Sequence, residues 1–429
     1  MENASVETIL PGPAKFLETS VIIIGAGPAG ASASIFLSKA GIHHIILEKE
    51  KFPRDKICGD ACSGKTAFVL RKANPAWLDE VFLNTKDNLA CHGVVFASPN
   101  GKSLTIPFSP ENIPANHAPG FMTTRLVFDN FLFEKIPSPF AKIYQQVSIK
   151  KNERNNGIIK VNFTQHGENY EVTAPLIIGA DGDKSIVRKT FMKNEIADKA
   201  YCVGLRAYYK GVTGFHEKGY IELHFLPEVL PGYLWIFPLP NGMANVGIGM
   251  LSDRIRTKKI NLRNEMLNAL KNNPNIKDRF TNAVATDKIQ GWGLPMCIKR
   301  EAISGDNYLL AGDAASLIDP FTGEGIGNAL YSGMLSAFAI EELIKANRFD
   351  ADFIKEKYDN VLYKRIGDEL KMSALLQRLS RYPWLFNFVV KKAHKSKTLN
   401  TAITSMFTDI DLRKQLRKPS FYAKIIFNK

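Results

Sequence analysis

A chain of 429 residues, 45% hydrophobic and 23% charged, has the composition of a globular protein with material for about two to three domains. Its five cysteines, Cys58, Cys62, Cys91, Cys202 and Cys297, are too few and too scattered for a disulfide framework. None of them forms a CxxC pair of the zinc or thioredoxin type, so the usage fits a reducing cytoplasm.

In chain order, Met1 to Ser20 carries Glu2, Glu7, Pro11 and Pro13 before any apolar run. It lacks the basic start and small-residue cleavage site of a signal peptide and is expected as a loose tail. Val21 to Leu37 is the most apolar stretch, but Gly25, Gly27, Pro28 and Gly30 interrupt it, which disfavours a spanning helix of about 20 residues. It reads instead as a strand at Val21 to Ile24, a helix from Ala29 to Ala40 stopped by Gly41, and a second buried strand at Ile45 to Leu47. This βαβ unit carries Gly25-Ala26-Gly27-Pro28-Ala29-Gly30 at its first turn. Gly25 permits the turn, Gly27 lets the backbone approach a pyrophosphate, Gly30 allows close helix packing, and the helix N-terminus offers oriented N–H groups to phosphate. Glu48, followed by Lys49, ends the second strand, where a carboxylate suits ribose hydroxyls and repels a 2'-phosphate. Alone, this unit leaves FAD and NAD both open.

Next come extended segments at Val94 to Ala97, Ser103 to Ile106, Tyr220 to Phe225, Tyr233 to Phe237 and Met243 to Met250, which predict a mostly antiparallel second sheet. Between them, Leu176 to Ile178, and later Tyr308 to Leu310, are short buried strands that end in Gly/Asp turns and join the first sheet. The fold class is therefore α/β with an α+β second part. A Rossmann-like dinucleotide-binding domain is built from 20–85, 126–190 and 301–345, and a β-sheet substrate domain from 86–125 and 191–300. A helical basic region follows over 346–429. From Lys371 onward thirteen Lys/Arg face only Asp409 and Asp411, so this region holds +11 of the net +14. Its cations alternate with Tyr382, Trp384, Phe386, Phe388, Phe421 and Phe427. This suits an anionic membrane surface, and equally a solvated helical tail with some inward rings. No nucleic-acid motif accompanies the charge. The expected location is cytoplasmic, with peripheral attachment to the inner face of the membrane.

Two further motifs carry a resemblance. Ile178-Gly179-Ala180-Asp181-Gly182, with Ser185 and Arg188, resembles the GADGxxSxVR segment of the aromatic hydroxylase (p-hydroxybenzoate hydroxylase-like) superfamily. Tyr308-Leu309-Leu310-Ala311-Gly312-Asp313-Ala314-Ala315 resembles its other FAD fingerprint, which implies that Asp313 binds the ribityl chain. After it, Asp319-Pro320-Phe321-Thr322-Gly323-Glu324-Gly325-Ile326 lets backbone lie against a flat ring. The helix beginning near Gly325 would aim its N-terminus at the flavin pyrimidine edge. Within that superfamily the chain is similar to the geranylgeranyl reductase family. Lys51 to Asp60 matches its P-x-x-K-x-C-G segment, Pro231 to Pro238 its YxWxFP motif, and Arg125 with Asp129 its R-x-x-x-D helix start. The segment Asp60 to Thr66 departs from the family pattern, which has more glycine and a proline there.

The resemblance implies that Tyr233, Trp235 and Phe237 shape the cavity where a prenyl chain meets the flavin. Period-two geometry puts all three on one strand face, a pattern that also suits ordinary sheet core. Cys58 is expected beside the flavin without a covalent role, although a buried cysteine is often an inert hydrophobe. Arg54 and Lys56 neutralise either cofactor phosphates or a substrate diphosphate, or lie on a solvated turn. Gly59, Arg125, Pro320, Gly323 and Ile326 complete the expected cofactor set with Ala29 and Lys49, and no metal site is expected. The implied activity is FAD-dependent reduction of carbon-carbon double bonds in an isoprenoid or similar polyene, with NAD(P)H or ferredoxin as electron donor. The alternatives are a monooxygenase acting on an aromatic or polyene substrate, a flavin halogenase, whose WxWxIP motif differs at Tyr233 and Phe237, and a flavin-binding scaffold without activity.

Overall fold

The structure is a computed structural model and describes residues 14–108, 117–137, 139–193 and 196–393. Its centre is a six-stranded sheet in the order Ser304–Gly305, Tyr308–Leu310, Leu176–Gly179, Val21–Ile24, His44–Leu47 and Ala141–Tyr144. All neighbours are parallel except the short first pair. Val21–Ile24, His44–Leu47 and Leu176–Gly179 are buried at every position, as continuous β-branched and leucine runs require when both sheet faces are covered.

The helix Pro28–Lys39 is buried from Pro28 to Ser38. Its small residues let it lie between the sheet and the long helix Ile326–Ala346, to which Ser32 Oγ donates at Leu330 O over 2.7 Å. A second, four-stranded sheet in the order Lys15–Glu18, Glu168–Ala174, Ile158–Gln165 and Ser148–Asn155 contributes Ile159, Val161, Phe163 and Val172 to the same core. Lys15–Glu18 corrects the expectation of a loose tail for the end of the Met1 to Ser20 segment, whose residues 1–13 lie outside the described residues, because the strand pairs in parallel with Tyr170 to Thr173. Pairing with an open sheet edge satisfies its backbone groups although its side chains are largely exposed.

The other large body is an eight-stranded sheet. It runs Val284–Ala285, Tyr201–Lys210, Met243–Leu251, Tyr233–Leu239, Ile221–His224, Gly93–Ala97 and Ser103–Pro107, and Gln290–Pro295 also pairs with Tyr201–Lys210. It is antiparallel apart from the parallel pair of Gly93–Ala97 with Ile221–His224. One face packs Leu234, Ile236, Val246 and Ile248 on Met266 and Leu270 of the helix Leu262–Asn272. The opposite face carries Trp235, Phe237, Leu223 and Phe225. A three-stranded sheet runs in the order Ala61–Cys62, Gly120–Thr123 and Asn88–Cys91. The helices Asn360–Leu379 and Pro383–Ala393 end the described chain. No helix among the described residues is long and apolar enough to cross a membrane. Most of the basic tail, including Phe421 and Phe427, lies outside the described residues.

Tyr358 fastens the carboxyl-terminal helices to the parallel sheet, since its fully buried hydroxyl donates to Leu310 O at 2.7 Å. Tyr358→Phe removes that donor in a dry site and is expected to cost about 1 to 2 kcal/mol in urea unfolding. Arg256→Ala breaks only the exposed pair with Asp198 and is expected to change stability by less than about 0.5 kcal/mol.

Candidate functional site

The cofactor end of the site begins where Val21–Ile24 leaves the sheet. Gly25 has φ of 96°, and a Cβ there would lie 2.5 Å from Ala180 O; one at Gly30 would lie 1.9 Å from Gly25 O. Only glycine permits a turn this tight. A Cβ on Gly27 would meet no neighbour nearer than Arg54 Nη2 at 3.6 Å. Gly27 begins the helix Pro28–Lys39, whose first turn has no side-chain cap, so its N–H groups remain available to an anion.

Glu48 is buried at the end of the neighbouring strand, where Oε2 accepts from Ala26 N at 2.6 Å and Oε1 from Glu50 N at 2.9 Å. These bonds hold the carboxylate across the glycine turn. Behind it, Arg125 binds Asp129 through Nε at 2.6 Å and Nη2 at 2.7 Å, and Arg54 Nη1 reaches the same carboxylate at 2.5 Å. Burial alone would raise the Asp129 carboxyl, but Arg125 and then Arg54 hold it below the usual carboxylate range. One anion thus orients two guanidinium groups beside the cavity.

Farther along, Lys56 Nζ pairs with Asp313 Oδ2 at 3.3 Å, and Asp181 Oδ2 accepts from Ile186 N at 2.7 Å. The loop from Asp319 is held by its own carboxylate, which accepts from the amides of Phe321 and Thr322 at 2.9 and 2.8 Å. The long helix does begin after Gly325. Glu324 Oε1 accepts from Gly327 N at 2.7 Å, so part of that helix N-terminus is satisfied by the chain itself.

The aromatic end is built on the strand Tyr233–Leu239. Tyr233, Trp235 and Phe237 share one face, with successive ring centroids 6.3 Å apart, while Leu234 and Ile236 enter the opposite core. Tyr233 Oη donates to Thr322 O at 2.6 Å, which ties this strand to the cofactor loop. Trp235 Nε1 donates to Asn245 Oδ1 at 2.8 Å, and Asn245 Nδ2 donates to Cys58 O at 2.7 Å. Cys58 lies next to the Arg125 guanidinium, and burial pushes its thiol up against that attraction, which keeps it protonated at neutral pH.

A single cavity of about 1000 Å³ joins the two ends. It is lined by Gly25, Gly27, Ala29, Glu48, Lys49, Arg54, Lys56, Gly59, Arg125, Asp181, Gly182, Gly312, Asp313, Pro320, Gly323, Gly325 and Ile326, and by Cys58, Tyr233, Trp235 and Phe237. Two expected cofactor residues do not line it. Gly30 lies beneath the glycine turn. Arg188 is buried away from the cavity, where it binds Ala314 O, Ser316 Oγ and Glu301 at 3.2, 2.9 and 3.0 Å. Those three acceptors direct its Nη1 and Nη2 groups toward the chain itself.

Four polar residues at the site were not singled out from sequence. Asp60 and Arg206 line the cavity, Tyr208 donates to Asp60, and Gln377 of the helix Asn360–Leu379 reaches the cavity and donates to Pro320 O. An arginine inside the otherwise apolar run Tyr201 to Tyr209 is the signal that could have drawn attention to the first three. Nothing in the pattern of Lys371 to Leu379 distinguishes Gln377.

The residues fit FAD. A tight glycine turn with uncapped helix amides suits the pyrophosphate, Glu48 and Asp313 suit sugar hydroxyls, and the long cavity continues to a flat aromatic wall. Glu48→Ala is expected to weaken FAD binding by about 10- to 100-fold, the loss of one charge-assisted hydrogen bond. Fluorescence titration of apoprotein with FAD reads this, with unchanged circular dichroism as the folding control.

Residues 18–345 match the FAD binding domain family. Digeranylgeranylglycerophospholipid reductase of Methanococcus aeolicus is 28% identical over 374 residues, covering 85% of this chain and 88% of that protein. Menaquinone reductase of Mycolicibacterium smegmatis is 27% identical over 334 residues, covering 74% and 75%. Among solved structures, a geranylgeranyl bacteriochlorophyll reductase-like protein from Thermoplasma acidophilum superposes with a TM-score of 0.74 at 22% identity, covering 94% of this chain and 99% of that one. A flavin-dependent brominase superposes with a TM-score of 0.77 at 19% identity, covering 95% and 98%. At such identities these two structures establish the fold. With its glycine turn, its two Asp-bearing strand ends and its aromatic strand gathered around one cavity, the chain belongs to the FAD binding domain family and, within it, to the geranylgeranyl reductase family of FAD-dependent oxidoreductases.

Proposed function

We propose that this enzyme saturates carbon-carbon double bonds of a polyprenyl chain. The observation that carries the reading is the continuity of the cofactor cradle with the face formed by Tyr233, Trp235 and Phe237 in one cavity. The names of the archaeal and mycobacterial relatives, all reductases of prenylated lipids or quinones, support it. When bound, FAD supplies hydride chemistry. The chain's own residues bind, align and dry the reactants. Arg54 and the uncapped helix amides neutralise the pyrophosphate, Glu48 and Asp313 take sugar hydroxyls, and the ring face holds an alkene by dispersion. An unactivated alkene is a poor acceptor, so alignment and water exclusion carry much of the rate. Cys58, kept as a thiol by burial, packs at this wall and forms no covalent bond. With one dinucleotide fingerprint in the chain, electrons come from transiently bound NAD(P)H or from a ferredoxin-type protein.

A bilayer with anionic headgroups is the natural source of such a substrate. In the helix Pro383–Ala393, Phe386 packs on Phe225 at 4.3 Å, within the aromatic cluster that includes Trp235 and Phe237. Its neighbours Trp384 and Phe388 are 69% and 53% exposed, and Lys391 and Lys392 occupy its last turn. Rings directed outward with cations behind them suit an interfacial helix.

Two experiments check these readings. Anaerobically reduced holoenzyme mixed with a polyprenyl lipid is expected to reoxidise and to yield a product richer by two hydrogens per bond reduced. Reoxidation by oxygen alone, with an oxygenated or halogenated product, would overturn the reductase reading. Replacing both Trp384 and Phe388 by Ala is expected to lower cosedimentation with anionic liposomes by at least about tenfold. Added salt should weaken the binding of the unmodified protein, and equal binding by both proteins would remove the membrane reading.

A further inference from the structure

Saturating a double bond consumes a proton as well as a hydride, and the neighbourhood of Asp60 bears on where that proton resides. Asp60 follows Gly59 in the segment laid over the aromatic wall. A Cβ on Gly59 would lie 3.1 Å from the Phe237 ring and 3.7 Å from Trp235 Nε1. The Asp60 backbone is left-handed, with φ of 64°, an uncommon state for a residue other than glycine, and the side chain is fully buried while lining the cavity.

The hydrogen bonds around it determine which oxygen is free. An indole N–H can only donate, so Asn245 Oδ1 is the acceptor from Trp235, and the Asn245 amide must present its NH₂ to Cys58 O and, at 2.8 Å, to Asp60 Oδ2. Tyr208 Oη donates to the same Oδ2 at 2.7 Å, and burial first, then Asp60 itself, keep that phenol protonated. Oδ2 therefore receives two hydrogen bonds, whereas Oδ1 is buried with no protein partner.

Groups from every side act on this carboxyl. Arg206 and Tyr208 approach from the strand Tyr201–Lys210, Arg125 from the helix Arg125–Glu134, and the thiols of Cys58 and Cys62 from its own segment. Burial outweighs the hydrogen bonds from Tyr208 and Asn245 and the attraction of Arg206 and Arg125, and pushes the carboxyl up to about 6. With Oδ2 occupied by two donors, the acid proton belongs on Oδ1.

Resting on the reductase reading, we propose that Asp60 is the proton donor of the reaction, giving the Oδ1 proton to one carbon of the substrate double bond. The O–H bond of Asp60 breaks as the alkene π pair forms a C–H bond to that proton. The other alkene carbon gains its C–H bond from the hydride of reduced FAD. The alkene is thereby reduced by two electrons, the flavin is oxidised by two, and Asp60 is left as a carboxylate. Tyr208 and Asn245 hold that carboxylate through Oδ2 until it is reprotonated from solvent. The solvent side is marked by Arg206, whose guanidinium carbon lies 4.0 Å from the Tyr208 ring centroid and which pairs with the half-exposed Asp55.

Asp60→Asn keeps the shape and removes the proton. In the FAD-loaded variant, flavin content and lipid binding are expected to stay within about threefold of the parent, while reduction of a polyprenyl lipid falls at least about 100-fold, the usual contribution of a general acid. Infrared titration of the protein without substrate should show a buried carboxylic-acid C=O band that is lost as pH rises and is missing in the variant. Tyr208→Phe removes a bond that favours the carboxylate, so the fall of activity with rising pH should move to higher pH. That shift also tests the role if Asp60→Asn does not fold, and an unmoved limb overturns it. Reduction undiminished in Asp60→Asn, or a carboxylic-acid band that survives in it, overturns the role of Asp60 alone. Absence of lipid reduction by the parent overturns the reductase reading and this step with it.

Discussion

The hydrogen bond from Trp235 to Asn245 sets the register of everything around the cavity. By fixing the amide it directs the Asn245 NH₂ to the segment of Cys58 and Asp60, and so fastens the antiparallel body to a chain that otherwise belongs to the cofactor side. The same short stretch has further anchors in both directions. Arg54 holds Asp129 of the helix Arg125–Glu134, Lys56 holds Asp313 after a parallel strand, and Asp55 holds Arg206 of the large sheet. The amide bridge acts together with Tyr233, which donates to Thr322 O, and with the Asp55–Arg206 pair to hold the aromatic wall against the cofactor cradle. Held so, they form one cavity whose opposite walls cannot slide independently.

Charge along this cavity is distributed according to what each end must bind. At the cradle, Arg54 and Arg125 share one buried carboxylate, so two cations are held by one anion and retain excess positive potential toward phosphates. Buried ions of this kind are stable only when paired and hydrogen-bonded, and Asp129 meets that condition with both its oxygens. At the aromatic end the buried carboxylate Asp60 is less stabilised. Asp60 has two donors on one oxygen and none on the other, a poor site for a full negative charge and a tolerable one for a neutral acid.

Much of this organisation was legible in the sequence. Continuous Val and Ile runs bounded by glycine turns identify strands buried on both faces, and alternate aromatics at Tyr233, Trp235 and Phe237 identify a face that the structure does divide from Leu234 and Ile236. The strand Lys15–Glu18 was not legible, because an edge strand with exposed side chains owes its existence to backbone pairing with a partner about 150 residues away. Arg188 illustrates the converse. Its motif marks a turn, but the direction of its guanidinium is decided by Glu301 and the Ala314 carbonyl, which only the folded chain brings within reach.

Asp60 was hidden for a third reason: it falls where the chain departs from its family's glycine-rich pattern, and a departure carries no assigned role. Its meaning depends on four residues, Tyr208, Trp235, Asn245 and Arg206, drawn from three strands of one sheet. Arg206 and Tyr208 are two apart on one strand, and Asn245 stands opposite Phe237 in the register of the next pair, so sheet geometry alone delivers all of these groups to one point. The strand that supplies the greasy wall therefore also supplies, through the indole N–H of Trp235, the constraint that decides which oxygen of Asp60 is free. Packing and proton chemistry at this site rest on the same side chain, and a substitution that preserved the ring area but lost the N–H would alter the second while leaving much of the first.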